Sequence, residues 1–402
     1  MLRPVQANVS QDPMEVDPYW LQFRSPSTEK QFLTGMSVIA ITILSVFANI
    51  TVIFVYNAMG DLNKRMRHYI ILMALSDLCS SLCSNWMFAA SSFAEAWLFR
   101  QSGCSLYGFS QGYCAMVSMI AGTCVAAERA LLLRSPRIYG RLHALAWYKP
   151  ATVSFVLAYC FILTGPPLLG WNAYRLDGYL TSCCFDFIST NWANRSYLAM
   201  IFGLGFAVPI CALSYSSQLI FRSLRYRPHA SAPTVTPQTM SGLEREHTAR
   251  VSLLPRKLNQ LLIPGQMLSS GRHSGHQLPS GSERRKTNGS LVSSSRGVQF
   301  SLTSEIHSPV SSNDQRRLSL LVILIPAAFI LVWTPYALVT VLAQFREALG
   351  IKLQPGLFVG TSLIAKCSNF ANPLLYAFVD KVFRRRVRDM APLCLLRRMY
   401  SS

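Results

Sequence analysis

Lys366 stands inside an apolar run that extends from Leu357 to Tyr376, with Pro373 seven residues further on. An ammonium in water-poor surroundings must sit beside a carboxylate, lose its proton, or be consumed in a covalent bond. An imine with an aldehyde is the third solution, because it makes the amine part of a ligand. Asn49, Asp77, Gln111 and the pair Glu128-Arg129 also interrupt apolar runs, and such groups inside a membrane are expensive and mark function by default. Each has a plainer reading. Asn49 and Asp77 would serve as hydrogen-bonding glue between helices, and Glu128-Arg129 would mark the watery end of its helix. Lys366 would snorkel outward, but about two turns of apolar helix, Leu357 to Ile364, lie above it.

The elements that must position these residues follow from composition and length. Of 402 residues, 51% are hydrophobic and only 14% charged, against about a quarter charged in a soluble domain. Seven runs reach the ~20 residues needed to span a bilayer: roughly 32–56, 69–94, 102–133, 150–171, 196–221, 317–343 and 356–378. The net charge of +20 collects between these runs and in the tail, without a stripe of basic and aromatic residues, so no nucleic-acid partner is expected. Lys64, Arg65, Arg67, Arg134, Arg137, Arg141 and the tail arginines fall on one side. The positive-inside rule makes that side cytoplasmic. The expectation is a multi-pass plasma-membrane protein with its N-terminus extracellular and its C-terminus cytoplasmic.

Residues 1–31 read as an extracellular tail, 32–221 as spans one to five, and 222–316 as a cytoplasmic connection. That connection is rich in Ser, Pro, Gly, Arg and His and poor in aromatics, a composition that predicts disorder. Residues 317–378 supply spans six and seven, and 379–402 a terminal helix and tail. Sequons at Asn8 and Asn194 lie on segments expected outside, which makes both glycosylation candidates. The cysteines lie mostly inside apolar runs, where they behave as small hydrophobes, and no zinc motif is present.

Taken together, the ordered pieces resemble the rhodopsin-like (class A) G-protein-coupled receptors over about 300 residues. They are Asn49, Leu75-Ser-Asp77, Cys104, Glu128-Arg129-Ala130, Pro209, Phe329, Trp333-Thr-Pro335 and Asn372-Pro373-Leu-Leu-Tyr376. The resemblance implies an all-α membrane protein: a seven-transmembrane helix bundle followed by a short amphipathic helix 8. It gives Asp77 and Asn372 to a polar cluster that reorganises on activation, and Arg129 to the surface that meets a heterotrimeric G protein. Phe383 with its flanking arginines would lie along the inner leaflet, with Cys394 as a palmitoylation candidate. Ala130 stands where the family has tyrosine, Ser217 where span five has one, and Gln315 where span six carries an acid. These departures predict a weakened latch around Arg129.

The segment Ile364 to Tyr376 resembles the retinal-attachment helix of opsins. The implied cofactor is retinal, 11-cis in the dark and all-trans after light, held by Lys366 as a Schiff base. The position three residues after Cys104, a glutamate in vertebrate visual opsins, is Tyr107. Gly170 to Asp186 instead resembles the second loop of invertebrate and melanopsin-type opsins, and their loop glutamate falls on Asp177. Glu95 is the other counterion candidate. The resemblance pairs Cys104 with Cys183, with the adjacent Cys184 left as an alternative. Gln111 would hydrogen-bond near the Schiff base, and Tyr107, Phe185, Phe187, Phe206, Trp333 and Tyr336 would line the pocket, or simply pack in a core.

The expected function is a light-activated receptor, bistable because its counterion lies in the loop. It would signal to a G protein and be bound by arrestin and receptor kinases. A retinal photoisomerase and a class A receptor for a diffusible ligand are the alternatives; the intact Glu128-Arg129 and Asn372 to Tyr376 weigh against the first, and the lack of an aspartate at 111 against an amine ligand.

Overall fold

The structure is a computed structural model, and it describes residues 14, 16–58, 66–225, 312–379 and 381–390. Asn8, Cys394 and residues 226–311 of the connection lie outside the described residues.

Among the described residues the chain builds seven helical columns. Five contain a helix long and apolar enough to cross a bilayer: Thr28–Ala58, Arg67–Phe93, Arg100–Arg134, Trp192–Ser223 and Ala327–Gln344. The fourth, Tyr148–Thr164, has 17 residues. It stops seven residues before the expected end at 171, because Pro166 and Pro167 open a 3₁₀ turn and cannot donate to a continuing helix. The seventh is two 12-residue helices, Pro355–Lys366 and Ser368–Val379, broken at Cys367. Phe47 and Leu331 are about three-quarters exposed, a face that lipid accommodates and water would not.

The third column is the axis: it packs against the second, fourth, fifth and sixth and under a loop hairpin. That hairpin pairs strands Tyr174–Asp177 and Ser182–Phe185 antiparallel, with Asp177 opposite Ser182. Its turn places Gly178 at φ +56° and Leu180 at φ +61°, so one of the two left-handed positions is carried at no steric cost by glycine. Cys104 and Cys183 are joined by a disulfide, which ties the hairpin to the head of the third column and leaves Cys184 a free thiol.

The N-terminal segment is more than a tail. Asp17 caps a one-turn helix, Pro18–Leu21, which buries Trp20 against Phe187 and Phe358 with ring centroids 6.4 and 5.2 Å away. The Tyr19 hydroxyl donates to the Leu353 carbonyl at 2.9 Å and accepts from the Leu353 N–H at 3.0 Å. At the opposite end the terminal helix, Lys381–Met390, buries Phe383 beside Tyr56 and Tyr376. Arg385, Arg386 and Arg388 on the same helix are exposed. Arg384 donates to the Ala377 and Phe378 carbonyls, satisfying acceptors left over at the end of the seventh column.

Candidate functional site

Two helix irregularities create the site. In the second column Ser81–Asn85 forms a π turn, whose extra residue rotates the next stretch of helix and brings Asn85 fully inside. In the seventh, Pro373 has no N–H to give the carbonyl of Asn369 four residues back. That carbonyl accepts instead from the Asn49 amide at 2.7 Å and the Ser45 hydroxyl at 3.3 Å, both from the first column. The break at Cys367 directly follows Lys366.

Lys366 is buried at 8% exposure. Its Nζ donates to Asn85 Oδ1 at 3.2 Å and sits 5.3 Å from the centre of the Tyr107 ring and 5.6 Å from that of Phe88. Asn85 Oδ1 also accepts from Gln111 Nε2 at 2.6 Å. The carboxylate of Asp177 enters from the hairpin, buried at 6% exposure, and Ser182 donates to its Oδ1 at 2.6 Å. Burial pushes the Asp177 carboxyl up to about 6, against the Ser182 hydroxyl and the Lys366 charge, which pull it down. Among the described residues no ion pair within 4.0 Å joins Asp177 to Lys366, so the two interact across a gap.

Both face one cavity, with about 120 Å³ open to the centre of a water molecule. Tyr107, Gln111, Phe185, Phe206, Trp333 and Tyr336 line it. Phe187 does not line it. It stacks on Phe358 at 5.1 Å under Trp20, because its backbone turns out of the hairpin after Phe185. Glu95 is exposed, at φ +58°, and does not line the cavity either. Asn194, the glycosylation candidate, is buried, and its amide nitrogen donates to Asp186 at 2.9 Å. Trp333 stacks on Phe329 at 5.4 Å and donates from its indole to Ser368 at 3.1 Å, which couples the sixth and seventh columns one turn from the lysine.

Several participants escape a reading of the sequence. Asn85 sits in a serine-rich stretch of the second span that hydropathy treats as filler, and nothing in the composition announces a π turn. Cys184 lines the cavity and accepts from the Tyr336 hydroxyl at 2.8 Å, with burial holding its thiol protonated. At the far end, His143 of the loop helix Pro136–Ala144 lies 3.3 Å from Glu128, both buried, and Tyr69 donates to the same carboxylate at 3.3 Å. Asp77 accepts from Asn372 at 3.4 Å, and Asn372 also donates to Ser118 at 3.3 Å.

A seven-column bundle with a buried lysine, a disulfide-tethered lid and a polar cluster around Asp77 and Asn372 has a defined class. Residues 48–376 match the family of 7 transmembrane receptors (rhodopsin family), and the chain belongs to that family. Similar proteins include the Gq-coupled rhodopsin of Mizuhopecten yessoensis, 22% identical over 94% of this chain and 63% of that one. Melanopsin of Felis catus is 24% identical over 94% and 64%. The chain thus spans slightly less than two-thirds of the length of these relatives. Squid rhodopsin shares the fold at a TM-score of 0.68, with 22% identity over 96% of this chain and 92% of that one.

Proposed function

We propose that this receptor is light-activated and carries retinal on Lys366, with Asp177 as the balancing charge. The observation that carries the reading is a buried amine and a buried carboxylate facing one aromatic cavity that a tethered hairpin closes. The fit is chemical. Lys366 is the nucleophile an aldehyde requires, Asn85 Oδ1 offers the acceptor that an N–H there would keep, and the aromatic walls suit a conjugated chain. Retinal bound there supplies light absorption and a change of shape (11-cis in the dark, all-trans after light).

The protein's own residues do the rest. Asp177 is one methylene shorter than glutamate, and it stabilises a positive nitrogen across the gap. A counterion held in the loop favours a bistable pigment. Trp333 reads the cavity and passes its displacement to Ser368 and the sixth column. The opposite end, with Arg129 and the terminal helix, would face the cytoplasm and engage a heterotrimeric G protein, then arrestin and receptor kinases, with the N-terminus extracellular. Rhodopsins and melanopsins among the similar proteins support this reading.

The test is to load the purified protein with 11-cis-retinal and record spectra before and after light. A visible band that survives acid denaturation as a covalent adduct, and is lost in Lys366→Ala, is expected; no band would overturn the reading. Asp177→Asn should abolish the visible band at neutral pH, leaving near-ultraviolet absorption. Light-driven nucleotide exchange on a G protein separates a receptor from a photoisomerase.

A further inference from the structure

We infer that Gln111 is a positioning residue that holds Asn85 with its carbonyl towards Lys366, so that the ligand-bearing nitrogen always faces an acceptor. The inference rests on the retinal reading, deepens it, and concerns the same lysine.

Asn85 is completely buried, and its own Nδ2 has no hydrogen-bond partner among the described residues. A buried amide group left in this way is costly, so Asn85 gains nothing at its other end from the orientation it adopts. That orientation is held at Oδ1 alone, where Lys366 donates at 3.2 Å and Gln111 Nε2 at 2.6 Å. If Asn85 turned over, Nδ2 would meet two donors.

Gln111 is itself held the right way round. Its Oε1 accepts from the Ser80 hydroxyl at 2.8 Å, and Ser80 in turn accepts from Asn369 Nδ2 at 3.2 Å. The bonds run one way from Asn369, three residues after Lys366: Asn369 to Ser80, Ser80 to Gln111, Gln111 to Asn85. The chain crosses from the seventh column to the second, then the third, and back to the second beside the lysine. A glutamine has the two ends, acceptor and donor, that such a relay needs; an acid or an aliphatic residue at 111 lacks one or both.

The titratable groups that face Lys366 are Asp177 and Cys184 from the hairpin and Tyr107 from the third column, and all of them remain in every variant tested. The experiment uses the full-length protein without retinal in lipid nanodiscs. Only the neutral amine reacts with acetic anhydride, so the acetylation rate of Lys366 against pH, read by peptide mass spectrometry, gives its proton affinity. Gln111→Leu is expected to lower that affinity about ten-fold, the size of a weakened hydrogen bond to a charged group. In an Asn85→Leu background the same substitution should have no further effect. Ser80→Ala, a smaller change, should move the rate in the same direction if Gln111→Leu fails to fold. An unchanged titration, or equal shifts with and without Asn85, would overturn the inference. A visible band in the retinal-loaded wild type is scored separately, so failure of the retinal reading is not mistaken for failure of the relay.

Discussion

Asp177 carries the pH dependence at the scale of single residues. Its carboxyl is raised by burial to about 6, so the folded protein binds this proton more tightly than the unfolded chain does. Folded stability from this group is therefore greatest below the ordinary carboxylate range, and is lost as pH rises towards and through about 6. In the retinal-free protein, thermal stability should fall between pH 4 and pH 7 by an amount that Asp177→Asn removes, at most about 3 kcal/mol. A calorimetric pH series on both proteins checks it, and identical slopes would contradict the placement. The same residue shows how sequence and structure divide the work. Its distance from Cys183 makes it a candidate on resemblance to opsin loops, but its partner Ser182 emerges only from the register of the hairpin.

Helix irregularities set the contribution of each element. Asn49 reads from the sequence as glue between helices, and the structure gives the glue an object: the Asn369 carbonyl freed by Pro373. Replacing Asn49 with Leu should leave that carbonyl to Ser45 alone and cost about 1–2 kcal/mol, by the usual penalty for an unsatisfied buried group. Thermal unfolding in detergent measures it, and Asn49→Asp should recover little, since a carboxylate cannot donate. The span-five π turn, Gly203–Ala207, obeys similar logic, for the Tyr159 hydroxyl reaches in from the fourth column to the Leu204 carbonyl at 2.8 Å. Tyr159→Phe should be milder, about 1 kcal/mol in the same assay, because the bond is partly solvent- or lipid-facing.

For the whole molecule, the hairpin segment and the N-terminal helix are tied together, one by a disulfide and the other by Trp20 packed on Phe187 and Phe358. The Cys104–Cys183 bond closes a loop with a sequence separation of 79, which by chain-entropy arguments stabilises the fold by about 4 kcal/mol. Cys183→Ser should cost most of that, and the neighbouring Cys184 is then the thiol to watch for mispairing by non-reducing electrophoresis. Trp20→Ala empties a space against the edges of the stacked Phe187 and Phe358 and should cost about 3–5 kcal/mol. With retinal bound as proposed, the same variant should speed bleaching by hydroxylamine, since Phe187 and the hairpin segment beside it lose the packing of Trp20.

By itself the sequence determined the membrane class, the seven spans, the family motifs and the lysine, since each is a local pattern: a run of apolar residues, a proline, a costly charge. It also named part of the cavity wall, the aromatic residues Tyr107, Phe185, Phe206, Trp333 and Tyr336 with Gln111, while most of the remaining lining residues carry no local signal. Only the tertiary structure decided which of two adjacent cysteines closes the lid, that Phe187 packs against Trp20, that Asn194 is buried, and that Asn85 stands against Lys366. Those four depend on where a strand turns, where a helix takes one extra residue, and which donor meets which acceptor across columns. No single segment contains that information. The lysine is written in one helix, and its surroundings are made by several others and a loop.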